Sequence, residues 1–178
     1  GTGSIGSTVI RELSGFGCRI LCSSRSENDS VKQFAQYVPL ETLYRESDII
    51  SLHVSLVPET YHMINTETLS QMKKGVVLNN CARGSLMDMK SLITGIESEQ
   101  IGALGLDCME DEEHIVHKDL KTDIFSNRDM AYLRQFKNVI HTQHMAFYTD
   151  SAVRSMVECG ICGLIEMENG TACRTQLC

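Results

Sequence analysis

Short apolar runs alternate along the chain with segments whose apolar positions recur at helical spacing. The runs over 19–23, 48–54, 76–80, 101–106 and 138–142 predict strands, each bounded by polar or glycine-containing stretches. Helical spacing predicts helices over 8–13, closing near Gly15 and Gly17, over 31–37 and over 66–72, with a helical turn over 41–45. Asp88 can cap a helix whose inner face carries Leu92, Ile93 and Ile96. A final helix starts near Thr149 or Asp150, and Val153, Met156, Val157, Ile161, Leu164 and Ile165 follow its period. Residues 109–137 read as a polar, irregular insertion with a short helix over 130–136, and the tail from Asn169 reads as frayed. Strand–helix alternation at this spacing predicts an α/β domain built on a parallel sheet.

Composition narrows the function classes. The 178 residues suit one domain, and 16 Lys+Arg against 23 Asp+Glu leave a net charge of −7. That balance, with a pI near 5.3, argues against a nucleic-acid binder, which would carry a basic patch. No apolar run approaches the ~18 residues of a membrane span. Eight cysteines are too sparse for a disulfide scaffold, and most lie in or beside apolar segments. Reduced thiols and a cytoplasmic location are the expectation.

The chain opens on G-T-G-S-I-G, in which Gly1, Gly3 and Gly6 fit G-x-G-x-x-G. Such glycines allow a tight turn, close backbone approach to a pyrophosphate and tight helix packing, while the following helix aims its N–H groups at phosphate. A Rossmann-type, doubly wound sheet is therefore expected. A chain that begins inside this motif is expected to be a fragment without the first strand. In an NAD-binding domain an acidic residue usually ends the second strand and holds the ribose 2′-OH. Ser24 occupies that position and Arg25 follows. A hydroxyl and a guanidinium would accept a 2′-phosphate, so the cofactor expectation is NAD(P)H leaning to NADPH. The alternative is that Arg25 is a solvated surface charge.

Three further segments carry a specific signal: N-N-C-A-R-G-S-L-M-D at 79–88, G-L-D-C-M-E-D-E at 105–112 and N-V-I-H-T-Q-H-M-A-F-Y-T at 138–149. With the glycine loop they resemble the D-isomer-specific 2-hydroxyacid dehydrogenases, most of all D-lactate dehydrogenases of the VanH type from glycopeptide-resistance operons. The resemblance implies reduction of a small, pyruvate-like 2-oxo acid to the D-2-hydroxy acid, by a homodimer. It implies that Arg83 orients the substrate, Glu112 is the catalytic carboxylate and His144 the acid/base. It places Ser4 and Ile5 in the pyrophosphate loop, Val54, Ser55, Thr60, Cys81, Ala82 and Asp107 at nucleotide-contact positions, and Phe147 in the substrate pocket. Residues 1–148 would form the nucleotide-binding domain, and 149–178 would return to a substrate domain absent from this chain. Gln143 and Ser55 stand where the family usually has proline, which puts efficiency rather than reaction type in question. The spacings His141/His144 and His114/His117 make a metal site conceivable, but a strand-to-loop segment would point its histidines apart, and no metal is expected. Cys159 and Cys162 form C-x-x-C inside a helix, where packing or chance is the better reading. Two alternatives stay open: a dinucleotide-sensing module without turnover, and an inactive remnant.

Overall fold

The computed structural model describes residues 1–112, 115–116 and 127–171. Most of the insertion expected over 109–137, with His114 and His117, and the end of the polar tail lie outside the described residues. The chain divides into two compact units, Gly1–Gln143 and His144–Cys178.

In the first unit the order is α1 (Ser4–Leu13), β1 (Leu21–Cys22), α2 (Asp29–Lys32), β2 (Gln36–Tyr37), α3 (Leu40–Glu46), β3 (Ile49–Leu52), α4 (Thr66–Ser70), β4 (Val76–Asn80), α5 (Met89–Glu97), β5 (Ile101–Leu106), α6 (Arg128–Leu133) and β6 (Val139–His141). Every strand pairing is parallel. β3–β4–β5–β6 form one four-stranded sheet, and β1–β2 form a separate pair. The core follows the strand pattern: Ile50, Leu52, Val76, Leu78, Ile101, Leu104 and Leu106 are buried together with Leu69, Leu92 and Ile96 from the helices. Ile10, Cys22, Val31 and Ala35 make a second, smaller cluster. The Asp88 carboxylate caps α5 by accepting from Ser91 N–H at 2.9 Å, as expected.

Two expectations require correction. The helix of residues 31–37 is only the four-residue α2, and Gln36–Tyr37 form β2 instead. The amides of Gln36 and Val38 donate to the carbonyls of Ile20 and Cys22, both at 2.9 Å, so tertiary pairing overrides the helical spacing of Val31, Phe34 and Ala35. In addition, α1 begins at Ser4, directly behind the glycines, rather than at residue 8.

The second unit is dominated by α7 (Asp150–Glu168), whose Thr149 side chain caps the amide of Ala152. Its Met156, Val157, Ile161, Leu164 and Ile165 are at least half exposed. No described helix is long and apolar enough to cross a membrane.

Candidate active site

The residues expected to form the site follow the carboxyl ends of the parallel strands, where open α/β sheets place their ligands. A cleft of about 750 Å³ lies there, lined by Gly1, Thr2, Gly3, Ser24, Arg25, Asn28, His53, Val54, Ser55, Thr60 and their neighbours. Nothing larger than glycine fits its floor. A Cβ at Gly1 would strike the His53 carbonyl, and one at Gly6 would strike the carbonyl of Gly1. Around Gly3 the space is open. Gly3 precedes α1 without a side-chain cap, and the first turn holds no acidic residue. An uncapped, carboxylate-free helix N-terminus beside a glycine-floored cleft suits a pyrophosphate. Ser4 and Ile5, on that first turn, are both exposed.

Ser24 and Arg25 are exposed on the cleft wall. The neighbouring carboxylates of Glu27 and Asp29 are both held by Lys32 Nζ, at 2.9 and 2.8 Å. On the opposite side Thr60 pins the loop after β3, its hydroxyl donating to Ser55 O at 2.7 Å and accepting from Val57 N–H at 2.9 Å. His53 is held through Ser51 Oγ at 2.9 Å, which also accepts from Asn79 Nδ2 at 3.0 Å. Burial holds its pKa below the usual histidine range.

Beyond β4 the chain turns sharply, and Asn80 makes the turn. Its fully buried amide accepts from Ala82 N–H at 3.0 Å and donates to Arg83 O at 2.8 Å. Cys81 is thereby left exposed, Ala82 half-buried and Arg83 exposed, with Arg83 Nη1 donating to Ala82 O at 2.7 Å. After β5, buried Asp107 donates its amide to Asn80 O at 3.0 Å and accepts from the Thr142 hydroxyl. Glu112 folds back onto Met109 N–H at 2.7 Å and closes the next turn. The two loops touch at Gly84, where any Cβ would collide with the Met109 carbonyl. Arg83 and Glu112 thus stand on loops that pack closely at Gly84 and Met109. Burial pushes the Cys81 thiol up and that of Cys108 up to about 12, so both stay protonated at neutral pH.

His144 opens the second unit, half-buried and in the left-handed region at φ 53°. Phe147 packs edge-on against Tyr148, ring centroids 6.1 Å apart. Sequence reasoning missed Asn80, and it missed a cluster of His62, Asp88 and Glu110, whose side-chain ligand atoms lie within 4.8 Å of one another. Asn80 looks like any strand residue until its amide is seen bridging the turn to Ala82 and Arg83, and the cluster depends on where the strand ends bring distant loops.

A parallel α/β sheet with a glycine-floored cleft and an uncapped helix N-terminus at its strand ends defines a dinucleotide-binding domain. Residues 1–146 match the family model of the D-isomer specific 2-hydroxyacid dehydrogenase, NAD binding domain. An aromatic 2-oxoacid reductase of Clostridium sporogenes is 40% identical over 99% of this chain and 54% of its own length. A D-specific alpha-keto acid dehydrogenase of Enterococcus faecium is 39% identical over 94% of this chain and 51% of its own. Among solved structures, a D-lactate dehydrogenase from Treponema pallidum superposes with a TM-score of 0.96 at 32% identity, covering 100% of this chain and 54% of that one. The NAD complex of the Lactobacillus delbrueckii enzyme gives 0.91 at 34% identity, covering 98% and 53%. The chain belongs to the D-isomer specific 2-hydroxyacid dehydrogenase family and carries its NAD-binding domain. It spans about half the length of these relatives.

Proposed function

We propose that the protein containing this chain reduces a small 2-oxo acid to the D-2-hydroxy acid, and that Arg83, Glu112 and His144 carry the chemistry. The observation that supports this most directly is the close packing, at the ends of β4 and β5, of the two loops that carry Arg83 and Glu112. The bound nicotinamide would supply the hydride. Arg83 would grip the substrate carboxylate and polarise the adjoining carbonyl, which suits a fixed, always charged guanidinium. His144 would deliver the proton to the carbonyl oxygen, with Glu112 as the catalytic carboxylate of the trio. Gly1, Gly3, Ser4, Ile5 and Gly6 would take the pyrophosphate, and Val54, Ser55, Thr60, Cys81, Ala82 and Asp107 the rest of the dinucleotide. Phe147 would line the substrate pocket. Related proteins are named for aromatic 2-oxo acids, lactate and alpha-keto acids, and a pyruvate-like acid is the substrate class inferred here. The resemblance to the VanH type extends the proposal to D-lactate for glycopeptide-resistant cell-wall precursors. Residues 149–178 would return to a substrate domain, which the exposed apolar stripe of α7 favours. A cytoplasmic homodimer completes the proposal.

The decisive experiment is Arg83→Ala in the full-length protein. Losing a charge-assisted contact made to the reacting carbonyl should cost about 3 kcal/mol, or more than 100-fold in kcat/KM for pyruvate. Near-unchanged turnover would remove Arg83 from the site. For the cofactor we propose that NADPH serves at least as well as NADH, because Ser24 and Arg25 line the cleft and the adjacent carboxylates are tied to Lys32. Ser24→Asp should swing preference toward NADH by adding a 2′-OH acceptor and repelling a 2′-phosphate. Steady-state kinetics with both cofactors check this, and a strong native preference for NADH would overturn it.

A further inference from the structure

We propose that His62 is a positioning residue for the Arg83–Glu112 pair, acting through Glu110; the inference rests on the function proposed above. Three segments meet in front of the strand ends: 60–64, 83–88 and 107–112. The first two are stitched by backbone, with His62 N–H donating to Ser85 O at 2.9 Å, Ile64 N–H to Leu86 O at 3.0 Å and Asp88 N–H to Ile64 O at 2.9 Å. The second and third approach closely where Gly84 meets the carbonyl of Met109, a contact that resists compression. The His62 side chain ties them across. Its Nε2 lies 2.7 Å from Glu110 Oε1, while Nδ1 faces Asp88 Oδ1 at 4.0 Å. One planar ring thus addresses a carboxylate on each of the two loops.

The ring is itself held. Tyr61 stacks on it at 3.9 Å with an interplanar angle of 19°, and the Tyr61 hydroxyl donates to the same Glu110 oxygen at 3.3 Å. The His62 backbone occupies the left-handed region at φ 48°, unusual for a residue with a Cβ. That conformation persists only where surrounding contacts over-determine it. Glu110 is half-buried, its side chain only 18% exposed, so its charge needs the partner that His62 provides. It sits one residue after Met109, whose amide anchors Glu112. A Glu110 released toward solvent would carry the Glu112 turn away from Arg83. Displacements of about 1 Å at such a site can cost about 100-fold in rate.

The test uses the full-length protein, 2-oxo acid turnover with NADH, NADH affinity by fluorescence, and thermal melting. His62→Gln places an amide nitrogen near the position of Nε2 and should keep kcat within about threefold, whereas His62→Leu should lower kcat by about 10- to 100-fold. NADH affinity should stay within about twofold in both, because the dinucleotide cleft is lined by other residues. Glu110→Ala should match His62→Leu, and the double variant should be no worse than either alone. Turnover by His62→Leu within twofold of the parent overturns the inference. So does a Gln variant as poor as Leu, with NADH affinity and melting temperature falling in step, which is a general folding defect. If Leu fails to fold, Gln and Glu110→Ala still decide. A parent protein without 2-oxo acid turnover overturns the functional reading first, whereas an active parent indifferent to these changes overturns this inference alone.

Discussion

Asn80 is a polar side chain with no exposure, at the end of the most buried strand, and both of its hydrogen-bonding ends are used by one loop. Removing it leaves the Ala82 amide and the Arg83 carbonyl without that partner. Asn80→Ala should therefore cost about 1–3 kcal/mol of stability. It should also lower turnover through Arg83 by more than the change in NADH affinity explains. Urea melts and kinetics on the same variant check both, and turnover at the parental level would mean the loop holds itself. At this scale the sequence was partly legible. Arg83 and Glu112 stand out because each sits in a motif at a strand end, and the roles proposed for them come from those motifs. Asn80 and His62 are not readable, because their roles consist of contacts. Asn80 looks like any strand residue until its amide is seen to bridge the turn. His62 gains meaning only from Glu110, which lies 48 positions away.

At the scale of elements, long runs with one dominant pattern read correctly. Val76–Asn80 and Ile101–Leu106 appear within the expected bounds, since burial on both sides leaves apolar runs no other reading. The two-residue β2 could not be read, because two residues show no alternation and the amides of Gln36 and Val38 are committed to the carbonyls of Ile20 and Cys22. Among the described residues β6 pairs with β5 alone, at the edge of the sheet, and it carries an anomaly. Both ring nitrogens of His141 are buried with no hydrogen-bond partner among the described residues. Burial and then Arg134 push its pKa below 6.5, while Glu112 and Asp107 pull the other way. The sign of the linkage follows. Above 6.5 folded and unfolded states both hold the neutral ring, and His141 adds no pH dependence. As pH falls from about 6.5 to the lower folded value, the unfolded chain takes up the proton first, and stability is lost. His53, also lowered by burial, contributes with the same sign. His141→Leu should flatten this acid-side slope and raise stability by about 1–2 kcal/mol, by removing an unsatisfied buried group. Urea unfolding at pH 5 and pH 7.5 measures it, and an unchanged slope would show that water reaches the ring.

At the scale of the whole molecule, the first unit holds two cores of unequal size. Among the described residues, nineteen buried ones cluster around β3–β6, whereas four, Ile10, Cys22, Val31 and Ala35, form the core beside β1 and β2. Among the described residues no strand ladder joins the two sheets. The Gly1 amino group, which donates to Ser23 O at 2.9 Å, and the tight contact between Gly1 and His53 bring the glycine loop against both sheet ends. The smaller half therefore has the lower local stability. The dinucleotide cleft is lined by residues of both halves, Ser24 and Arg25 from one and Val54, Ser55 and Thr60 from the other. Ligand binding should couple them, because a ligand that binds only the ordered state stabilises it by RT ln(1 + [L]/Kd), about 2.7 kcal/mol at 100 Kd. Native-state hydrogen exchange is the measurement. In the absence of dinucleotide the amides of Gln36 and Val38, which bond to β1, should exchange through openings of low free energy. Those of Val77 and Leu104 in the large sheet should exchange only on global unfolding. Saturating NADH should raise protection at Gln36 and Val38 by up to that amount. Equal protection of the two halves without ligand would show that they unfold as one unit, and no gain with NADH would separate the cleft from the stability of its smaller wall.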